Sequence, residues 1–350
     1  MAFIDKNKPI LVTGASGYIA SWIIKLLIDD GYSVHGTVRS LDQKEKIAHL
    51  LELDKNAHGK LTLFEADLLE EESFSKAMAG CELVIHTASP FFVQGVKNAQ
   101  EQLIKPALEG TRNVLDTVNE TPSVKRVVLT SSVASIFGDA IDINSTSAGV
   151  FDEKTWNMTS SERHQPYSYS KTVAEKDAWR MVNEQDRWDL LVINPGFVMG
   201  PSLSKRVDST SIDFMRSMVN GKFASGVPDL YFSIVDVRDV AQAHINAGIK
   251  EKASGRHILV ADAFGAVEIA KILKEKFQAK YKIPKGSLPN FILYLVGPFM
   301  NFSWKYLKRN LGIPYKFDNS YSKNDLNIVY RPINQTLTEH VEQLDRDGLI

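Results

Sequence analysis

Tyr167 and Lys171 carry the most distinctive chemical pattern in this sequence. They stand four residues apart in a segment that predicts a helix beginning at Pro166, so both side chains share one helical face. A phenol has a pKa of about 10 and is a poor proton donor at neutral pH until a nearby ammonium stabilises the phenolate. The spacing therefore predicts Tyr167 as a general acid activated by Lys171. Tyr169 does not fit this role, because the residue four positions after it is Val173.

The pattern Y-x-x-x-K alone often occurs by chance. A glycine turn near the N-terminus argues against a chance match, because both motifs occur in the order that one nucleotide-binding site needs. The apolar run Ile10–Val12 predicts a buried strand, and Gly14 and Gly17 let the backbone approach a ligand without a Cβ atom in the way. The following helix directs free N–H groups and its positive end at the same place, which favours a pyrophosphate. The spacing G-x-x-G-x-x-A ends at Ala20 and resembles the dinucleotide fingerprint; a tight turn without a ligand is the alternative.

Arg39 points to the type of dinucleotide. It follows the second predicted strand, 33–38, at the place where an NAD site usually has an acidic residue that binds the ribose 2'-hydroxyl. A cation there suits a 2'-phosphate, so the sequence predicts NADPH/NADP+. Either Lys44 or Lys46 could add a second positive charge, with the other an ordinary surface lysine.

Polar residues follow several further predicted strands. Asp67 comes after the third strand and could reach the adenine amino group or cap the next helix. Thr87–Pro90 follow the fourth strand, and Ser131 and Ser132 follow the fifth. Ligands of open parallel sheets lie beyond the carboxyl ends of the strands, so these groups face the predicted site.

The order of these elements predicts an α/β fold of the Rossmann type. We expect a doubly wound parallel sheet of about seven strands with a smaller, mostly helical C-terminal substrate lobe. Residues 1–200 are predicted to form the NADP-binding domain, to which 229–262 return. Residues 201–228 and 263–350 are predicted to form the substrate-binding lobe.

Composition excludes several other classes. The chain has 350 residues, 44% of them hydrophobic, and a net charge of -1, so there is no electrostatic reason to expect nucleic acid or an anionic membrane as a partner. Cys81 is the single cysteine, which rules out an intramolecular disulfide, and no metal site is predicted. The N-terminus shows no signal peptide, and the apolar segment 288–304 is too short to span a membrane. We expect a cytoplasmic monomer or homodimer.

Taken together, the motifs resemble the extended short-chain dehydrogenase/reductases. The shared motifs are T-G-x-x-G-x-x-A from Thr13, T-A-S-P from Thr87, T-S-S from Thr130, Tyr167-x-x-x-Lys171 and N-P-G from Asn194. Within this family the sequence is most similar to the dihydroflavonol-reductase-like branch, which includes cinnamoyl-CoA reductases and yeast-type ketoreductases. The resemblance covers nearly the whole chain.

The resemblance implies roles for individual residues. Tyr167 would be the general acid, Lys171 its activator and a ribose ligand, and Ser132 the hydroxyl that holds the substrate carbonyl. Arg39 and Lys46 match the pair that binds the 2'-phosphate. The other implied cofactor contacts are Thr13, Gly14, Gly17, Tyr18, Ile19, Asp67, Leu68, Thr87, Ala88, Ser89, Thr130, Pro195 and Val198. The implied activity is NADPH-dependent reduction of an aldehyde or ketone to an alcohol.

Two departures from the family bear on the substrate. Phe137 stands where plant dihydroflavonol reductases have an asparagine that contacts the flavonoid, and the Trp-Tyr-Cys signature of cinnamoyl-CoA reductases is replaced around Tyr167. Dihydroflavonol and cinnamoyl-CoA type reductases stay as alternatives. A nucleotide-sugar epimerase or dehydratase is disfavoured by Arg39 and by Val133 and Ala134 after Ser132. An NADP-sensing regulator is disfavoured by the retained tyrosine.

Three phenylalanines each follow the carboxyl end of a strand. Phe91, Phe137 and Phe197 are predicted to line an apolar substrate cavity together with Ser132. Such walls favour aryl or alkyl carbonyls over sugars. The alternative for each of the three is an ordinary place in the hydrophobic core.

Overall fold

Continuous apolar runs in the sequence form the strands of a large parallel sheet. A computed structural model describes residues 3–89, 98–297 and 302–350. The strands within these residues are β1 Ile10–Thr13, β2 Ser33–Val38, β3 Lys60–Glu65, β4 Leu83–His86, β5 Arg126–Thr130, β6 Asp189–Pro195, β7 Phe197–Met199, β8 Tyr231–Asp236, β9 Gly255–Leu259 and β10 Asp262–Gly265. The large sheet has seven strands in the order β3-β2-β1-β4-β5-β6-β9, and all its pairings are parallel. The predicted Rossmann-type sheet is confirmed.

Helices connect the strands and cover both faces of this sheet. The α-helices in the described residues are α1 Tyr18–Asp29, α2 Lys44–Lys55, α3 Ser75–Met78, α4 Lys105–Glu120, α5 Pro166–Val182, α6 Thr210–Val219, α7 Val237–Ile249, α8 Ala266–Phe277, α9 Asn290–Val296, α10 Trp304–Asn310, α11 Ser320–Asp325 and α12 Ile333–Arg346. Shorter helical turns span Gln100–Ile104, Val133–Ser135 and Ala140–Ser145. Within the described residues, no helix combines the length and the apolar character needed to cross a membrane.

The apolar run of β1 is explained by burial on both sides. Ile10 and Val12 pack in one core cluster with Ile24 of α1, whereas Leu11 packs in a second cluster with Val114 of α4. Successive side chains of a strand point to opposite faces, so a strand inside a covered parallel sheet needs apolar residues at every position. This packing fixes β1 in the interior of the sheet, between β2 and β4, directly below the glycine turn.

A second, three-stranded sheet lies in the C-terminal half, in the order β10-β8-β7. β8 is antiparallel to β10 and parallel to β7, and a separate core cluster joins this sheet to α6, α8 and α12. Of the segment 229–262, β9 therefore belongs to the large sheet and β8 to the small one. The predicted domain limits at 200, 228 and 262 stay a prediction.

Residues 138–163 form a largely irregular segment that is partly buried. They contain the short turn Ala140–Ser145, and Asp139 and Asn157 are buried. The Asp139 carboxylate accepts hydrogen bonds from Asn310 and from Gln165, the residue before α5. Contacts with distant residues, which local polarity does not reveal, hold this segment against the C-terminal lobe.

Candidate active site

The strand ends of the large sheet open into a cavity of about 1210 Å³. Most residues predicted for the site line this cavity. They are Gly14, Gly17, Tyr18, Ile19, Arg39, Asp67, Leu68, Thr87, Ala88, Ser89, Thr130, Ser132, Phe137, Tyr167, Lys171, Pro195, Phe197 and Val198.

Three of the predicted residues are not among the described residues that line the cavity. Thr13 is buried behind the cavity, where its hydroxyl lies 2.8 Å from His86 Nδ1 and accepts the backbone N–H of Ala88 at 3.0 Å. It thus ties the end of β1 to the end of β4. Lys46 is exposed on α2 and is not among the cavity-lining residues. Phe91 lies outside the described residues.

Tyr167, Lys171 and Ser132 meet in the cavity. Tyr167 and Lys171 occupy the first two turns of α5, and the Tyr167 hydroxyl is hydrogen-bonded to Ser132. Lys171 Nζ donates to Ser89 Oγ at 3.1 Å. The Ser132 hydroxyl also accepts the backbone N–H of Ala134 at 3.1 Å, which caps the short turn after β5. The predicted triad is therefore assembled from the end of β5 and the start of α5, and Ser89, beyond the end of β4, accepts a hydrogen bond from Lys171.

Burial controls the pKa values of the triad. It raises the pKa of Tyr167 to about 12, and the hydrogen bond to Ser132 opposes this rise. It lowers the pKa of Lys171 to about 8, and the negative charge of Glu175 opposes this fall. At neutral pH the phenol holds its proton and the lysine is mostly charged. These are the protonation states that a proton donor and its electrostatic partner need. The pKa of Tyr167 nevertheless lies above its ordinary value of 10, so its lowering by Lys171 stays a prediction.

Glu175 is the centre of a buried polar network behind the triad. Its carboxylate accepts hydrogen bonds from Ser131 Oγ at 2.5 Å, Ser135 Oγ at 2.5 Å and Asn194 Nδ2 at 2.8 Å. Arg256 Nε donates to it at 2.5 Å and forms a buried ion pair. None of the sequence motifs above includes this residue. The helical spacing could have found it, since Glu175 lies one turn beyond Lys171 on the same face of α5.

The glycine turn has the form that a dinucleotide phosphate needs. Gly14 has a φ of +68°, and a Cβ atom there would lie 3.1 Å from Ala88 Cα. Gly17 begins α1 with no side-chain cap, and Tyr18 and Ile19 line the cavity. Uncapped N–H groups at a helix N-terminus bind anions well. The residues present therefore fit a dinucleotide whose pyrophosphate lies at this turn.

Arg39 and Asp67 lie at the same end of the cavity as this turn. Arg39 is exposed and, among the described residues, forms no ion pair with a carboxylate. Asp67 Oδ1 accepts the backbone N–H of Leu69 at 2.9 Å, so the carboxylate stabilises a turn. It does not cap α3, which begins only at Ser75. Both side chains line the cavity and could contact a ligand there.

The two described phenylalanines of the predicted substrate wall serve two roles. Phe137 lines the cavity and also stacks on Phe151 with ring centroids 4.9 Å apart. Phe197 lines the cavity and packs against Phe214 and Phe232 at 5.4 and 5.6 Å. Each of these two phenylalanines thus both lines the cavity and packs in the hydrophobic core. The sequence did not identify the lobe residues Tyr306, Asn310 and Tyr315, which complete the wall.

The chain matches the model of a known protein family over most of its length. The model of the NAD dependent epimerase/dehydratase family matches residues 10–261. The chain belongs to this family. The match includes the glycine turn, Ser132, Tyr167, Lys171 and every strand of the large sheet.

Several members of the epimerase/dehydratase family are close in sequence or structure. Cinnamoyl-CoA reductase CAD2 of Medicago truncatula is 43% identical over 280 residues, which cover 79% of this chain and 83% of the relative. An anthocyanidin reductase of Vitis vinifera is 35% identical over 332 residues, which cover 91% of this chain and 94% of the relative. The structure of Gre2 from Candida albicans in complex with NADPH is 29% identical, with a TM-score of 0.79 over 97% of this chain and 99% of that chain. Yeast methylglyoxal/isovaleraldehyde reductase Gre2, complexed with NADPH, is 27% identical, with a TM-score of 0.79 over 98% of this chain and 100% of that chain.

These relatives confirm the predicted resemblance within the family. The chain belongs to the extended short-chain dehydrogenase/reductases, and its relatives are reductases of the dihydroflavonol-reductase-like branch. The roles of the individual site residues stay predictions.

Proposed function

We propose that this chain reduces aldehydes or ketones to alcohols with NADPH. The observation that carries this proposal is the triad, in which the Tyr167 hydroxyl is hydrogen-bonded to Ser132 beside Lys171. The triad lines the same cavity as the glycine turn. The relatives named as reductases, two of them complexed with NADPH, support the same activity.

The residues around the cavity suit each part of the cofactor. The N–H groups at the start of α1 would bind the pyrophosphate, Arg39 the 2'-phosphate, and Lys171 a ribose hydroxyl. When bound, NADPH supplies a hydride from C4 of its nicotinamide to the carbonyl carbon.

The chain's own residues handle the charge that develops on the carbonyl oxygen. The Ser132 hydroxyl donates a hydrogen bond to this oxygen and stabilises its growing negative charge. Tyr167 transfers its phenolic proton to the oxygen, which completes the alcohol. The Lys171 ammonium stabilises the phenolate that remains. One hydride and one proton are added, so the reaction balances without a further reactant.

The apolar side of the cavity favours aryl or alkyl carbonyls. Phe137, Phe197, Phe232 and Tyr315 line it, and such walls bind apolar groups better than sugars. A cinnamoyl-CoA type substrate is a second candidate, favoured by the relative of that name at 43% identity. An epimerase or dehydratase activity is less well supported, because Val133 and Ala134, which follow Ser132, have aliphatic side chains that cannot exchange protons.

Consumption of NADPH tests the proposal. Aldehydes, ketoesters, aryl ketones and cinnamoyl-CoA are offered in turn, and alcohol formation is checked by chromatography. We expect turnover with at least one aldehyde or ketone and loss of that turnover in Tyr167→Phe. Tight NADPH binding without turnover of any carbonyl compound would favour a regulator instead.

We also propose that the chain acts in the cytoplasm as a monomer or homodimer. This part of the proposal rests on composition, since the net charge of -1 gives no electrostatic reason to expect a nucleic acid or an anionic membrane as a partner. Size-exclusion chromatography with light scattering measures the oligomeric state, and a tetramer would contradict it.

A further inference from the structure

Residues 200–209, here called the crossing segment, pass over the N-terminal end of α1. The Tyr18 hydroxyl donates to the backbone carbonyl of Gly200. Trp22 Nε1 donates to the carbonyl of Pro201 at 2.8 Å. Both donors lie in the first two turns of α1, so the segment begins its course fixed to the helix that follows the glycine turn.

Arg206 extends from the crossing segment to the glycine turn itself. One terminal guanidinium nitrogen, Nη1, donates to the backbone carbonyl of Ser16 at 2.8 Å. The Nε and Nη2 groups donate to the two carboxylate oxygens of Asp208 at 2.6 and 2.9 Å. Ser16, Arg206 and Asp208 all line the cavity. The guanidinium therefore lies at the phosphate-binding turn.

The charges around Arg206 show on which side of the turn it lies. Burial and the positive charge of Arg206 lower the pKa of His49 to about 4. Hydrogen bonds from Arg206 lower the pKa of Asp208, and the charge of Lys46 adds to this effect. Lys46 and His49 are three residues apart on α2 and share one helical face. Arg206 therefore lies near the face of α2 that carries Lys46, which together with Arg39 is predicted to bind the 2'-phosphate.

We propose that Arg206 is a third cation of the 2'-phosphate subsite, and that its contact with the phosphate fastens the crossing segment over the adenosine end of the cofactor. This inference rests on the proposed use of NADPH. The side chains of Arg206 and Asp208 are 30% and 64% exposed, and ion pairs at such sites contribute little to stability. A 2'-phosphate offers more negative charge and more acceptor oxygens than the carboxylate. It replaces Asp208 at small cost, because the guanidinium keeps a charged partner.

The test uses two nucleotides that differ only at the position in question. Adenosine 2',5'-bisphosphate carries the 2'-phosphate, and adenosine 5'-monophosphate lacks it. Their dissociation constants are measured by calorimetry on the full chain and on the variant Arg206→Gln. We expect Arg206→Gln to bind the bisphosphate about tenfold more weakly, the usual size of one charge-assisted contact, and the monophosphate within about twofold of wild type. Lys205→Gln, an exposed neighbour in the same segment, is the matched control and should change neither constant.

A second variant gives an effect of opposite sign. Asp208→Asn removes the competing carboxylate and is expected to strengthen bisphosphate binding while leaving the monophosphate unchanged. A structural role of Arg206 would instead weaken both nucleotides equally, and that result overturns the inference. Unchanged binding of both nucleotides to Arg206→Gln overturns it as well.

The wild-type measurement separates this inference from the proposed function. If wild type does not prefer the bisphosphate, the assignment of NADPH fails, and the inference with it. If wild type prefers the bisphosphate and Arg206→Gln keeps the same preference, only the inference about Arg206 is overturned.

Discussion

The floor of the cavity buries its charged groups within hydrogen bonds, whereas the rim beside the glycine turn leaves its charged groups in contact with water. The floor comprises Ser132, Tyr167 and Lys171, with Glu175 directly behind them. The rim comprises Arg39 and Arg206, which line the cavity, and the exposed Lys46 of α2, whose charge reaches Asp208. In the floor, Lys171 is 9% exposed and Glu175 is 1% exposed. In the rim, Arg39 and Lys46 are exposed, and Arg206 is 30% exposed.

This difference suits two kinds of work. Charges held in a buried site interact strongly and need no rearrangement when negative charge develops on a reacting oxygen. Charges in water are screened by salt and contribute less each, so several are needed to select one ligand over another. We therefore expect floor substitutions to change turnover or folding, and rim substitutions to change cofactor affinity.

The largest expected effect is that of Tyr167→Phe. The ring remains while the transferable proton is lost, and general acid catalysis contributes about 100- to 10,000-fold, so kcat should fall by at least about 100-fold. NADPH binding should persist. The measurement is turnover at saturating NADPH, with Tyr169→Phe as the matched control. A comparable collapse in Tyr169→Phe would contradict the assignment of the acid.

The next effect concerns the stability of the floor. Glu175→Gln leaves Arg256 buried without its counter-charge, and breaking a buried ion pair costs about 3 to 5 kcal/mol of unfolding free energy. Urea denaturation measures this loss. Glu184→Gln, which removes an exposed pair with Arg180 on the same stretch of chain, should leave the transition midpoint unchanged. Equal midpoints for both variants would show that the Glu175 network does not stabilise the fold.

The pH dependence follows from Lys171, whose pKa falls from an ordinary value of 10.5 to about 8. The folded chain loses this proton as pH rises through about 8, so kcat/KM for NADPH should fall along an alkaline limb with that apparent pKa. Between the two values the unfolded chain holds more protons, so this group makes folding more favourable as pH rises. Glu175→Gln should move the limb to lower pH, because the Glu175 charge raises the pKa of Lys171. An alkaline limb at the same pH in wild type and in Glu175→Gln would show that the Glu175 charge does not raise the pKa of Lys171.

In the rim, Arg39→Ala should weaken NADPH about ten- to a hundredfold and leave NADH nearly unchanged, since one charge-assisted contact to the 2'-phosphate is lost. Dissociation constants from fluorescence titration test this. Lys55→Ala, at the far end of α2, is the control and should bind both cofactors as wild type does. Equal losses of NADPH and NADH in Arg39→Ala would make Arg39 a structural residue.

The smallest expected effect is on substrate choice. Phe137 lines the cavity and makes aromatic contacts with Phe151 and Tyr315, with ring centroids 4.9 and 5.0 Å apart. One such contact is worth about 0.5 to 1.5 kcal/mol. Phe137→Leu should therefore change the ratio of kcat/KM for aryl and alkyl aldehydes by about two- to tenfold, with a small drop in Tm. A lower Tm with an unchanged ratio of kcat/KM would show that Phe137 contributes to core packing and not to substrate choice.

Local patterns in the sequence predicted the parts of the molecule that depend on local rules. Apolar runs located the strands of the large sheet, and the spacing of Tyr167 and Lys171 placed both on one face of α5. The order of the glycine turn and the serine-ended β5 brought both motifs to the same edge of the sheet.

Long-range contacts explain what the sequence did not predict. The three-stranded sheet pairs β7 with β8, whose facing residues Val198 and Val235 are far apart in the chain. The partner of Glu175 in the floor is Arg256, on β9. Arg206 reaches the carbonyl of Ser16 across 190 residues. No local spacing encodes such pairs, because they arise only when distant elements pack together.

The most direct test of the division between floor and rim compares kcat at saturating NADPH in Tyr167→Phe and Arg39→Ala. We expect Tyr167→Phe to lose at least about 100-fold in kcat, and Arg39→Ala to keep kcat within about twofold of wild type while its KM for NADPH rises. A large fall of kcat in Arg39→Ala, or a wild-type kcat in Tyr167→Phe, would contradict the account.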